Sequence, residues 1–198
     1  DPDVVYWLDA AIANGRLEAR INKATYMMSE PEHFSYSETE DVIQKIYETD
    51  LLRGKLLRAS LLMIREWKKL NPQEAYEILQ PLHEEGVKEA TIGLGDLYSM
   101  GGLDEVDQQK ALKHYSLAAQ KGTAFAFQKM AAIYRSGRSI CNDNVKAYGY
   151  SKVASYYGEA SASTFMQSLA ESMSAEELAE ADVFYKQLLS NYPSSEFE

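Results

Sequence analysis

The chain has a single cysteine, Cys141, among its 198 residues, which excludes an intrachain disulfide framework and leaves any cysteine-based metal site short of ligands. Long apolar runs are also missing. The richest stretch, Leu56-Leu57 to Leu62-Met63-Ile64, is broken by Arg58 and followed by Arg65, well short of the roughly 20 uncharged residues a membrane helix needs. A soluble chain with no membrane insertion is expected. Positive charge is scarce too. Lys and Arg number 20 against 30 Asp and Glu, a net charge of −10. Because nucleic-acid affinity comes largely from cations neutralising phosphates, this balance disfavours nucleic acid and anionic membrane as partners. The sequence opens at Asp1 without a methionine or a charged, apolar leader, which is read as a removed signal peptide or a trimmed chain. In an exported protein Cys141 would stay an unpaired thiol, which favours its burial or a cytosolic home.

What the chain does have is self-similarity. Gly86, Gly122 and Gly158 recur at an interval of 36 residues, and Ala90, Ala126 and Ala162 repeat the interval four residues later. Ala75, Ala111 and Ala147 share it. So do Asn71, Asp107 and Asp143, while Tyr98 and Tyr134, then Gly101 and Gly137, follow once each. A common phase across capping, small and aromatic residues marks a duplicated structural unit.

Each residue class has a task in a helix-turn-helix unit. Asn71, Asp107 and Asp143 are good N-caps, with Pro72 at the first helical position and Glu74 placed for a capping box. Ala75-Ile78-Leu79-Leu82, Ala111-Leu112-Tyr115-Ala118-Ala119 and Ala147-Tyr148-Tyr150-Val153-Ala154 then run along one apolar helical face. The glycines at 86, 122 and 158 end these first helices in a left-handed residue. Ala90-Leu94-Leu97-Tyr98, Ala126-Met130-Ile133-Tyr134 and Ala162-Phe165-Met166-Leu169 form the second helices, whose alanines allow close crossing. Gly101-Gly102 and Gly137 stop them.

With these positions in view, the chain resembles the Sel-like repeat family, relatives of the tetratricopeptide repeats. The best copy is Asp107 to Gly137, through Lys110-Ala111, Tyr115, Ala118-Ala119, Gly122, Ala126, Tyr134 and Gly137. The copy before it supplies Gly86, Ala90, Leu94-Gly95, Tyr98, Gly101 and Asp107. Leu103 and Ser139 stand where the family usually has a second loop glycine, and Ala170 and Met173 replace Tyr and Gly in the last copy. The resemblance implies an all-α, right-handed solenoid of paired antiparallel helices, with repeats at 71–106, 107–142 and 143–173. A helix over 174–190, opened by Ser174-x-x-Glu177, would cap it and leave a tail at 191–198.

Residues 1–70 are expected to form degenerate helical units. Trp7, Ala10-Ala11, Gly15 and Ala19 keep the offsets of His114, Ala118, Gly122 and Ala126, and Tyr47 with Gly54 keeps the seven-residue offset of Tyr115 and Gly122. Between these units lies a long loop at 29–37 carrying Pro31, His33, Phe34 and Tyr36. Phe34 and Tyr36 are read either as aromatics folded onto the core or as partner-contacting loop residues.

Nothing in the chain spells catalysis. His33, His83 and His114 make no i, i+4 pair, so no metal is expected, and no cofactor either. Gly93-x-Gly95 lacks a third glycine and follows no strand. The repeated cysteines and Ser-x-x-Lys motif tied to β-lactam chemistry are absent.

The expected function is therefore a non-catalytic protein-interaction module or adaptor that grips a protein through the concave wall of first helices. Tyr76, Lys113, His114 and Tyr150 are the groove candidates among a chain rich in tyrosine, at 14 residues. The resemblance implies scaffolding in bacterial envelope, secretion or signalling complexes, hence a periplasmic or envelope setting with the cytoplasm as alternative. Two other roles stay open: an immunity protein whose acidic surface meets a basic toxic enzyme, and a hydrolase.

Overall fold

A computed structural model describes residues 2–192, all of whose regular elements are helices. Most of the sequence's tail, 193–198, lies outside the described residues. The elements are α1 (Pro2–Ala13), α2 (Leu17–Ser29), α3 (Tyr36–Thr49), α4 (Leu51–Leu61), α5 (Pro72–Glu84), α6 (Lys88–Met100), α7 (Gln108–Gln120), α8 (Ala124–Ser136), α9 (Asn144–Tyr156), α10 (Ala162–Ala170) and α11 (Ala175–Asn191). Contacts divide the chain into two compact units, which part inside α5 between Pro81 and Leu82.

The 36-residue period is visible in the helix boundaries themselves, since α5, α7 and α9 begin and end at matching positions. Their starts follow from the caps. The Asp107 carboxylate accepts from the Lys110 N–H at 2.9 Å and Asp143 from that of Lys146 at 2.9 Å. Asn71 Oδ1 accepts from the Glu74 N–H at 3.2 Å, while the Glu74 carboxylate takes the Asn71 side-chain amide at 2.9 Å. The expected capping box is thus altered, because the Asn71 backbone N–H is already given to the Leu62 carbonyl at 3.0 Å. Their ends follow from Gly86, Gly122 and Gly158, at φ of 91°, 80° and 90°. A residue with a Cβ would be strained there.

In the unit from residue 82 onward the core is built from small residues at the helix crossings and large ones between them. Ala111, Ala118, Ala119, Ala126 and Ala154 are completely buried, and Tyr115, Phe127 and Val153 fill the spaces they leave. Successive helices pack from α6 through α10, and α11 lies against α9. The α9–α11 approach needs Gly149, where a Cβ would come within 2.5 Å of the Phe184 ring. The capping box of α11 is present, with Ser174 Oγ accepting from the Glu177 N–H and Glu177 accepting from the Ser174 N–H at 2.7 Å.

In the unit up to residue 81, α2, α3 and α4 enclose Ala24, Ile43, Ile46 and Leu61. Arg58 donates to Glu74 Oε1 at 2.7 Å and 3.0 Å, tying α4 to the first turn of α5. Two expectations are corrected here. Residues 29–37 are not one long loop, because Ser29 ends α2 and Ser35 caps α3 through a complete capping box, so that Tyr36 and Ser37 are helical. Gly54 ends no helix. It lies inside α4, where a Cβ would sit 2.4 Å from the Tyr47 backbone, so its spacing from Tyr47 reflects close packing of α3 on α4. In the second unit, Cys141 is exposed, which leaves the cytosolic alternative of that expectation in place.

Candidate functional site

The repeat places a pair of stacked rings between consecutive units. Tyr98, near the end of α6, stacks on His114 of α7 at 5.4 Å and 12° between planes. One period later Tyr134, near the end of α8, stacks on Tyr150 of α9 at 5.6 Å and 8°. A lysine covers the same tyrosine in each case, with Lys110 Nζ 5.2 Å from the Tyr98 centroid and Lys146 Nζ 5.2 Å from that of Tyr134. The signal in the sequence was the common interval of the four aromatic positions.

These contacts decide how much of each expected groove residue is free. Lys113 is exposed, as expected. Tyr150 is largely walled in by Tyr134, by Phe127 at 6.5 Å and by Phe184 edge-on at 5.2 Å, so its main task is packing between helices. Burial, followed by the neighbouring tyrosines, pushes its hydroxyl pKa upward. His114 is held between Tyr98 and the edge of His83, whose centroid lies 5.3 Å away. Its Nδ1 is buried and unpartnered, and its pKa is lowered to about 4 by burial first, then by His83 and Lys113. His83 is oriented by Thr91, whose hydroxyl donates to the Val87 carbonyl and lies 2.9 Å from His83 Nδ1. That leaves Thr91 Oγ1 to accept from His83 Nδ1–H. Tyr76, in the first unit, is half-buried on α5.

Phe34 and Tyr36 are half-buried and turned onto their own unit. Phe34 meets Tyr26 edge-on at 5.8 Å and Tyr36 meets Trp67 at 6.0 Å. Trp67 Nε1 donates to the Pro31 and Phe34 carbonyls at 3.0 and 2.8 Å, which fastens the turn. The same turn gathers Glu30, Glu32 and His33, with ligand atoms within 4.8 Å of one another. Sequence spacing had pointed away from any metal. This group is largely solvent-exposed, with His33 Nδ1 3.4 Å from Glu30 and 3.5 Å from Glu32.

One open aromatic surface lies on α9 and α11. Tyr148, Lys152 and Tyr156 recur every four residues along α9, and Tyr156 is 58% exposed. Tyr156 faces Tyr185 of α11 at 6.5 Å, and Lys152 links the two helices by an ion pair with Asp182 at 2.5 Å and by lying 4.9 Å over the Tyr185 ring. Val183, at 55% exposure, also lies on α11. Tyr148 lies on the helical face read from the sequence, whereas Tyr185 was missed, since α11 was treated only as a cap.

A further recess of about 320 Å³ lies at the α6–α7 loop, lined by Leu97, Tyr98, Leu103, Val106 and Lys110, with Asp104, Glu105 and Asp107 at its polar wall. Gln108 fastens the loop after α8. Its Oε1 accepts from the N–H groups of Ser139 and Ile140 at 2.6 and 3.1 Å, and its Nε2 donates to Ser136 Oγ at 2.9 Å.

No family model matches the chain. Its fold has counterparts among solved structures. A protective antigen of uropathogenic Escherichia coli displaying an SLR fold superposes with a TM-score of 0.58 at 18% identity, over 97% of this chain and 42% of that one. A sel1 repeat protein from Klebsiella pneumoniae subsp. pneumoniae gives 0.56 at 20% identity over 83% of each chain. The chain has the Sel1-like repeat fold. A Sel1 repeat protein from Oxalobacter formigenes agrees, at a TM-score of 0.51 and 19% identity, covering 91% of this chain and 75% of that one. In sequence, the chain is 30% identical over 122 residues, 61% of its length, to the alginate biosynthesis protein AlgK of Azotobacter vinelandii, of which it spans only 25%. Within the Sel1-like frame, Ser139 at the usual second loop glycine has a use of its own, because its hydroxyl accepts from the Gln108 backbone N–H at 3.1 Å. Among the described residues no helix is long and apolar enough to cross a membrane.

Proposed function

We propose that the chain is a non-catalytic protein-binding module, which holds a protein partner against the open tyrosine surface of α9 and α11. The observation that carries this reading is the exposed Tyr156 ring set beside Tyr185, on helices locked together by Lys152–Asp182 and the Gly149–Phe184 approach. A rigid platform of tyrosines offers large contact area with little side-chain entropy left to lose, which is how protein interfaces concentrate their energy. Lys113 on α7 supplies a cation in an otherwise acidic chain and is the member of the expected groove set whose side chain is free for a partner. Tyr76, His114 and Tyr150 contribute chiefly through packing in this reading.

An adaptor role in a bacterial envelope or secretion complex is the setting proposed. Its support is the similarity over 122 residues to a protein named for alginate biosynthesis, together with the fold shared with an antigen of uropathogenic bacteria. The test is affinity capture from native cells with the purified chain, alongside a Tyr156→Ala/Tyr185→Ala variant of unchanged helical circular dichroism. One protein captured in near-equal amount by the natural chain and lost with the variant supports the proposal. Equal capture by both would overturn the assigned surface.

A further inference from the structure

α1 and α2 form a repeat unit in the register of α7 and α8. Gly15 has φ of 77°, as Gly122 has 80°, and taking Gly15 as Gly122 places the end of α1 and both ends of α2 at the positions that bound α7 and α8. In that register Trp7 is the counterpart of His114 and Tyr150, the residues that stack on a tyrosine of the preceding second helix. Val4 is the counterpart of Ala75, Ala111 and Ala147, all 0% exposed, and Leu8 of Leu79, Tyr115 and Ser151, all buried. In α1 the same positions are open: Val4 is 37% exposed, Trp7 70%, and Leu8 half-exposed. The Trp7 ring meets the edge of Tyr6, at 5.4 Å, and is otherwise largely open to solvent.

The difference has a specific cause. α7 is covered by α8 on one side and α6 on the other, whereas among the described residues the main packing partner of α1 is α2. We infer that the face of α1 bearing Val4, Trp7 and Leu8 docks a helix pair of this same repeat type, whose second helix lays a tyrosine ring on Trp7. It is a continuation of the interface already seen at α6–α7 and α8–α9. The apolar stripe at three- and four-residue spacing matches what those second helices cover, and an indole offers a larger stacking face than the imidazole of His114. One detail differs: Asp3 stands where Lys110 and Lys146 cover the tyrosine, so the incoming ring gains the stack without the cation.

The test extends the whole chain at its front with a second copy of its own residues 71–107. This places the added Tyr98 sixteen positions before Trp7, the separation it has from His114. Trp7 is read by tryptophan emission and acrylamide quenching, with Trp7→Phe proteins as blanks for Trp67. The expected result is a blue-shifted Trp7 and quenching reduced several-fold in the extended chain, with most of the protection lost when the added Tyr98 is changed to Ala. Trp7 remaining as accessible as in the original chain would overturn the inference, as would protection indifferent to that Tyr98→Ala change. Shielding of Trp7 in the original chain that grows with protein concentration would assign the face to a second copy, and would overturn it too.

Discussion

The ring of Tyr134 lies flat on that of Tyr150, 5.6 Å away and 8° from parallel, in the same relation that Tyr98 bears to His114 one repeat earlier. This contact joins the second helix of one unit to the first helix of the next. Tyr150→Ala would open a gap among Tyr134, Phe127 and Phe184, and should cost about 3 kcal/mol by analogy with other large buried rings. Tyr150→Phe should retain most of that stability. Chemical denaturation of the two variants checks both.

His114 makes stability depend on pH with a definite sign. Its folded pKa, about 4, lies below the ordinary 6.5, so the unfolded chain binds this proton first as pH falls. The contribution of neutral His114 is complete above about 6.5 and is lost progressively as pH drops towards 4. His114→Phe keeps a ring on Tyr98 and removes the unpartnered Nδ1, so it should flatten this part of the profile without loss of stability at pH 7. Denaturation midpoints of both proteins from pH 7 to 4 give the comparison.

Gln108 is almost wholly buried and its carboxamide bonds two loop N–H groups and a hydroxyl. Replacing it with leucine strands those donors, at about 1–3 kcal/mol each where they stay buried. The observable is local: amide exchange at Ser139 and Ile140 should speed up by more than that of the α8 core.

Gly95 is a close-approach glycine, where a Cβ would come within 2.5 Å of the Tyr115 ring. Gly95→Ala should therefore destabilise by about 1–3 kcal/mol through overpacking, despite alanine's better helix propensity. A fall in thermal midpoint is expected, and a rise would contradict the α6–α7 packing.

The period of 36 was legible because each repeat needs the same cap, the same left-handed glycine and the same buried alanine at fixed places. Helix boundaries at Asp107, Gly122 and Asp143 follow from those local rules. Gly54 misled because a glycine inside a helix and one that ends it look alike in sequence, and only the α3–α4 approach tells them apart. The surface was harder to read. Tyr150 and Tyr156 lie on one helix and share a residue type, yet Tyr150 is largely walled in by Tyr134 and Phe184 while Tyr156 stands open. That distinction depends on neighbours distant in sequence. Tyr185 escaped notice because its value comes from α11 lying on α9.

The central claim, that a protein partner sits on the α9–α11 surface, is tested most directly by photocrosslinking in native cells. A photoreactive phenylalanine would replace Tyr156, or Phe125 of α8, which is 41% exposed on a second helix. One discrete crosslinked protein from position 156 and none from 125 is the predicted result. The same adduct from both positions, or an adduct from 125 alone, would contradict the account.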